Sequence, residues 1–303
     1  MTSTLLLATV AFVYAANNLG VIRSAYAGVS RRGVLIYTSI ALTGFSTGFL
    51  LEGYKVGSSL LPSLAEVGGS ASDAILAVTL AILAAFTLLK LPASISNVSV
   101  GAVVGVALSR GVPVNIGGLL RIMGIWLLAP LVSATLATVI YLLYRKAVST
   151  LPLAPVSQVG RLLGIAAIFS SSYVLAANNL GILVAFGGGV VDLVSVIASA
   201  LLRAALLSEL VAWTLGWRVA QLSPTGYATS LLAGSATLWA CTQLGVPTSL
   251  SQCAVASMMA LSLGRRPVII NSGAVFEVLG SWPLFLGISA LLGFGVGSLA
   301  LRF

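Results

Sequence analysis

The hexapeptide Ala-Ala-Asn-Asn-Leu-Gly occurs twice, at residues 15–20 and 176–181, an offset of 161. A second pair follows in the same order, Leu-Pro-Ala-Ser-Ile-Ser-Asn from Leu91 and Val-Pro-Thr-Ser-Leu-Ser-Gln from Val246, an offset of 155. Two motifs in one order at nearly one offset make the chain two copies of a single unit. The halves are residues 1–146 and 161–303, joined by a polar, proline-containing connection at 147–160.

Each copy must bury itself in lipid. The chain is 59% hydrophobic and 7% charged, with mean hydropathy +1.12, whereas a soluble domain is about a quarter charged. Long apolar runs, rather than ten-residue alternation, predict an all-α integral membrane protein and not a barrel. Apolar segments fall at 2–22, 33–51, 71–90, 93–109 and 119–144, then at 161–186, 189–217, 226–244, 248–264 and 275–301. Segments 93–109 and 248–264 are short for a span of roughly 20 residues, and each opens at a proline followed by small hydroxyl residues. They read as helices that start inside the protein, as broken helices or arms of re-entrant hairpins whose tips meet near the bilayer midplane. Each half then crosses three times, or five without re-entry. Both counts are odd, so the repeat is expected to be inverted.

Nine basic residues (Arg23, Arg31, Arg32, Arg145, Lys146, Arg161, Arg218, Arg265, Arg266) fall on one side of this topology. Four (Lys55, Arg110, Arg121, Arg302) fall on the other. The first side is assigned to the cytoplasm, which puts both termini outside a multi-pass protein of the plasma membrane. The N-terminal run is read as a retained helix, not a signal peptide, because its motif returns in mid-chain.

The net charge of +9 therefore sets topology and does not point to nucleic acid. Histidine is absent, which removes His relays, His metal sites and Ser-His or Cys-His catalysis. Cys241 and Cys253 lack metal-ligand spacing and read as small buried hydrophobes. No metal or cofactor is expected, and an intramembrane enzyme has no catalytic pair to work with. The lipid bilayer is the one certain partner; association with further copies is left open by the sequence.

Amides at bilayer depth must be paired or line a wet cavity. Asn17-Asn18 and Asn178-Asn179 are followed by Gly20 and Gly181, where a helix can loosen and free backbone groups. The bland alternative is interhelical hydrogen bonding, which two symmetry-related pairs make less attractive. Pro92 with Ser94, Ser96 and Asn97, and Pro247 with Ser249, Ser251 and Gln252, supply N-cap hydroxyls, free N–H groups and a positive helix end. Two such starts aimed at one midplane point could hold a tetrahedral oxyanion without a buried full charge. Arg203 stands in an apolar run and reads as snorkelling or salt-bridged. Glu52, Asp73 and Glu277 sit near segment ends, and Asp192 and Glu209 have no evident role.

These residues resemble the inorganic phosphate transporter family. Its Gly-Ala-Asn-Asp-x-x-Asn motif is matched by Ala15 to Val21 and by Ala176 to Ile182, and its Leu-Pro-x-Ser-(Ser/Thr)-(Ser/Thr)-His motif by Leu91 to Asn97 and Val246 to Gln252. The resemblance implies a secondary transporter of an inorganic oxyanion with inverted repeats, usually moving phosphate with sodium or protons. It places substrate binding on Asn17, Ser94, Ser96, Asn178, Ser249 and Ser251. The departures are the same in both halves. The family's Asp is Asn18 and Asn179, its last Asn is Val21 and Ile182, and its His is Asn97 and Gln252. These amide positions are candidates for a coupling ion or for the substrate itself. Loss of both aspartates puts sodium coupling of the usual kind in doubt, and it tilts the site towards sulfate, which carries no proton for a carboxylate to accept. Phosphate is the family default, sulfate its competitor, and an anion channel a further reading.

Overall fold

In lipid each segment must satisfy its own backbone, and every regular element among the described residues is helical. The computed structural model describes residues 2–23, 31–89, 93–187, 189–206, 222–264 and 272–299. Pro92, Lys90, Glu209, Arg218, Arg265, Arg266 and Arg302 lie outside that set. Through the described residues run α1 (Thr2–Arg23), α2 (Arg31–Leu64), α3 (Ser70–Leu88), α4 (Ile95–Ser109) and α5 (Ile116–Val148). They continue with α6 (Leu153–Val174), α7 (Val190–Ala205), α8 (Pro224–Gln243), α9 (Leu250–Leu263) and α10 (Ser272–Leu299).

Among the described residues four stretches are long and apolar enough to cross a membrane: 33–64, 70–88, 116–148 and 153–185. Helices α4 and α9, at 15 and 14 residues, are about 22 Å long, short of a hydrocarbon core of about 30 Å. Almost every residue of α4 from Ile95 to Ala107 is buried, all round the helix. Such a helix is surrounded by protein rather than lipid. The long helix α5 instead turns Leu127, Leu128 and Leu131 outward.

Helices α5 and α6 are joined by residues 149–152 alone, so much of the polar stretch expected as connection is the start of α6. Polarity marks a residue as wet, not as irregular, and a helix end outside the hydrocarbon needs no apolar side chains.

The contacts between the halves are reciprocal. Helix α1 packs on α7, and α6 packs on α2; α4 packs on α10, and α9 packs on α5. Within each half, α3 backs α1 as α8 backs α6, and α3–α4 and α8–α9 form helical hairpins. Where α2 meets the segment that continues α6, residues 175–185, the backbones nearly touch. A Cβ on Gly57 would come 2.6 Å from Gly181 O, and one on Gly181 would strike the Gly53 carbonyl. Small residues allow this approach, the usual basis of helix association in lipid.

Candidate functional site

The first asparagine of each amide motif makes the same two hydrogen bonds, to a threonine hydroxyl and to a tip N–H. Asn17 Oδ1 accepts the Ala93 N–H at 2.8 Å, and its Nδ2 donates to Thr87 Oγ1 at 3.0 Å. Asn178 Oδ1 accepts the Thr248 N–H at 2.8 Å, and its Nδ2 donates to Thr242 Oγ1 at 3.0 Å and to Val246 O at 3.0 Å. Both asparagines are fully buried. Thr87 and Thr242 in turn donate to the carbonyls four residues back, Leu83 and Leu238. Unpaired, such amides would each cost about 1–3 kcal/mol in the interior. Paired, each locks one helix to one hairpin tip.

Sequence reading missed these threonines. Their signal lies in the repeat itself: at the offset of 155, Thr87 aligns with Thr242 and Ala93 with Thr248, so the second motif extends five residues upstream of its proline.

The tips that the clamps hold come together. Ser96 Oγ, on the first tip, donates to Thr248 O of the second at 3.1 Å. Tyr14 donates to the carbonyl of Leu175 at 3.2 Å, its own counterpart at the offset of 161. A position that touches its counterpart lies where the two copies meet. Ser94, Ser96, Asn97, Ser249 and Gln252 are all buried, as is Pro247. Ser251 lies beside Ser249, Oγ to Oγ 2.8 Å.

The two helix starts differ. Ser94 caps α4, accepting the Asn97 N–H at 3.4 Å while its hydroxyl donates to Asn97 Oδ1 at 3.0 Å. Ser249 makes no capping bond to α9, so its first N–H groups and positive helix end have no side-chain partner there. The helices that carry the amides differ too. Helix α1 stays α-helical through Gly20. Its counterpart widens to a π-turn over Leu175–Asn179 and tightens to a 3-10 turn over Leu180–Ala185, which contains Gly181.

Asn18 Nδ2 reaches Tyr14 O at 3.3 Å and Ala93 O at 3.4 Å. Asn179 Oδ1 and Gln252 Oε1 are buried acceptors without a hydrogen-bond partner. Buried polar atoms are rarely left so. An acceptor in this position suits a ligand that brings a donor, such as an acidic O–H, a water or a cation.

Full charges are scarce nearby. Arg203 is buried in the last turn of α7, with its guanidinium 5.6 Å from the ring centre of Phe12. Asp192 fixes the other end of α7, accepting from Thr4 Oγ1 at 2.6 Å and from the Gly189 N–H at 3.3 Å. Cys241 and Cys253 are free and buried against Ala129. Among the described residues no group of acidic, His or Cys side chains could hold a metal.

Comparison with solved structures finds a chain described as "The sodium-dependent phosphate transporter", with a TM-score of 0.82 and 16% sequence identity. The match covers 100% of this chain and 98% of that one. The two share a fold over their whole length. No family model matches the sequence, and no curated protein matches it.

Proposed function

We propose that this protein is a secondary transporter of inorganic phosphate, bound between the α3–α4 and α8–α9 tips. The observation that carries this reading is the duplicated clamp. Two copies of Asn, Thr and a backbone N–H bring two hydroxyl-rich helix starts to one buried place, with Ser96 and Thr248 in contact across the halves. Ser249 and Ser251, with the N–H groups at the start of α9, are the donors for the oxyanion; Ser94 and Ser96 join them by turning their hydroxyls away from Asn97 and Thr248 when it binds, and Asn17 and Asn178 hold the tips in place. The shared fold supports the same reading, since the structural neighbour is a phosphate transporter.

The unpartnered carbonyl oxygens of Asn179 and Gln252 favour phosphate over sulfate. Near neutral pH phosphate keeps a P–OH that such an oxygen can accept, whereas sulfate offers only acceptors, which two buried carbonyls would repel. The sulfate reading rests on Asn18 and Asn179 standing where the resembling family has Asp. Coupling to sodium then falls to amide oxygens rather than carboxylates, and a coupled proton would travel on the phosphate itself.

Residues 1–146 and 161–303 act as inverted repeats that give alternating access, with Gly181 and Pro247 as points where the backbone can bend. Both termini lie outside the plasma membrane. Uptake of radiolabelled phosphate into proteoliposomes, driven by a sodium or proton gradient and unaffected by excess sulfate, is the expected result. Uptake of sulfate that phosphate does not compete with would overturn the substrate assignment. Ohmic anion current in place of saturable uptake would overturn the carrier.

A further inference from the structure

The turn between α8 and α9 is tied down one peptide at a time. Five consecutive carbonyls, from Leu244 to Thr248, each accept a hydrogen bond from a side chain on another element. Arg121 Nη2 of α5 donates to Leu244 O at 3.3 Å, and Ser59 Oγ of α2 donates to Gly245 O. Asn178 Nδ2 takes Val246 O at 3.0 Å, Trp126 Nε1 of α5 takes Pro247 O at 2.7 Å, and Ser96 Oγ takes Thr248 O at 3.1 Å. Just before the turn, Gln243 closes a charged triangle with α2. Lys55 Nζ donates to Gln243 Oε1 at 2.6 Å and to Glu52 Oε1 at 2.9 Å, and Gln243 Nε2 donates to both Glu52 oxygens at 3.2 Å.

A turn needs few of these bonds to keep its shape. Gly245, at φ +67°, already provides the reversal, and the helices on either side satisfy their own backbones. What the side chains add is attachment of the turn to α2 and α5, long helices of the other half. The first hairpin lacks the counterpart of this triangle. Leu88 and Leu89, which align with Gln243 and Leu244, are apolar and exposed, at 80% and 65%.

We propose that Glu52, Lys55 and Gln243, with Ser59, Arg121 and Trp126, are a latch that holds the α8–α9 tip shut over the site. Opening of the transporter on that side is release of this tip while the α3–α4 tip stays in place. The partners are a charge-assisted network and carbonyl acceptors, all of which water can replace, so the latch is strong enough to bias a state yet reversible. Ser249 is buried, 2% exposed, while this network is in place. The inference rests on the transport reading for its meaning, but its test needs no substrate.

The full chain is placed in lipid nanodiscs with Cys241→Ala and Cys253→Ala, and Ser249→Cys serves as the reporter for a charged, water-soluble thiol reagent. Gln243→Leu, which copies the first half, and Trp126→Phe, which removes one N–H and keeps an aromatic ring, each release part of the latch. Each is expected to speed labelling at Ser249→Cys by about tenfold, while labelling at Ser99→Cys, buried more than a turn further into α4, stays unchanged. Equal labelling of Ser249→Cys with and without the latch overturns the proposal. Faster labelling of both reporters together overturns it as well, since that is general loosening. Should Gln243→Leu fail to fold, Trp126→Phe and Glu52→Gln still decide. Faster labelling of the second tip alone, where the unsubstituted chain moves neither phosphate nor sulfate, leaves the latch standing and removes the transport reading.

Discussion

The two hairpin tips use the same clamp and end differently. In the first, α1 is regular, Asn17 holds the tip, and Ser94 closes the start of α4. In the second, the helix carrying Asn178 passes through π and 3-10 turns, and Ser249 leaves the start of α9 uncapped. The hexapeptide is identical in both, so local propensity does not decide. What differs is the surroundings. The second copy lies against the glycines of α2, where Gly181 and Gly53 meet backbone to backbone, and that approach is available to a segment that can shift its hydrogen bonds by one residue. Duplication therefore supplies two equal anchors, and one helix start is capped while the other is left uncapped.

The comparison predicts effects of decreasing size. Asn17→Ala and Asn178→Ala each strip a buried N–H of its acceptor and a tip of its anchor. Phosphate uptake in proteoliposomes is expected to fall by about 100-fold or more in both. A large loss in one and none in the other would mean that the clamps are not equivalent. Gly181→Ala forces a methyl group into the Gly53 carbonyl, and overpacking of this kind costs about 1–3 kcal/mol. The expected readout is a lower melting temperature in detergent together with lost uptake; normal melting would show that the 3-10 segment yields easily. Thr87→Val and Thr242→Val keep the shape and remove the hydroxyl that each asparagine donates to. Uptake should drop by roughly 5- to 10-fold in each, the size of one hydrogen bond. The smallest effect separates the tips. Ser94→Ala removes a cap worth about 1 kcal/mol and should lower the melting temperature by a few degrees. Ser249→Ala has no cap to lose, so it should weaken phosphate binding and leave the melting temperature where it was. Equal melting shifts in the two would erase the distinction between the capped and the uncapped helix start.

Much of this could be seen in the residues beforehand. The repeat offsets of 161 and 155 set the two halves side by side, and the Pro-x-Ser stretches marked helix starts that fall at Ile95 and Leu250. The asparagines were suspect because an amide in an apolar run must find a partner. Thr87 and Thr242 were hidden because a lone threonine in a membrane helix can satisfy itself on the carbonyl four residues back, as both of these do, and so signals nothing until the repeats are aligned. The π and 3-10 turns were hidden for a different reason. Two identical hexapeptides carry no information about which will be distorted; the glycines of α2 decide it from far away in the chain. The tethers on Leu244 to Thr248 use backbone carbonyls, which every residue has, and no pattern of side chains reveals them.

The proposed function has both tips build one phosphate site, which equilibrium dialysis of the purified, lipid-reconstituted protein against radiolabelled phosphate can count. One phosphate per chain, lost alike in Asn17→Ala and Asn178→Ala, is the predicted result. Two phosphates per chain, with each substitution removing one, would contradict it.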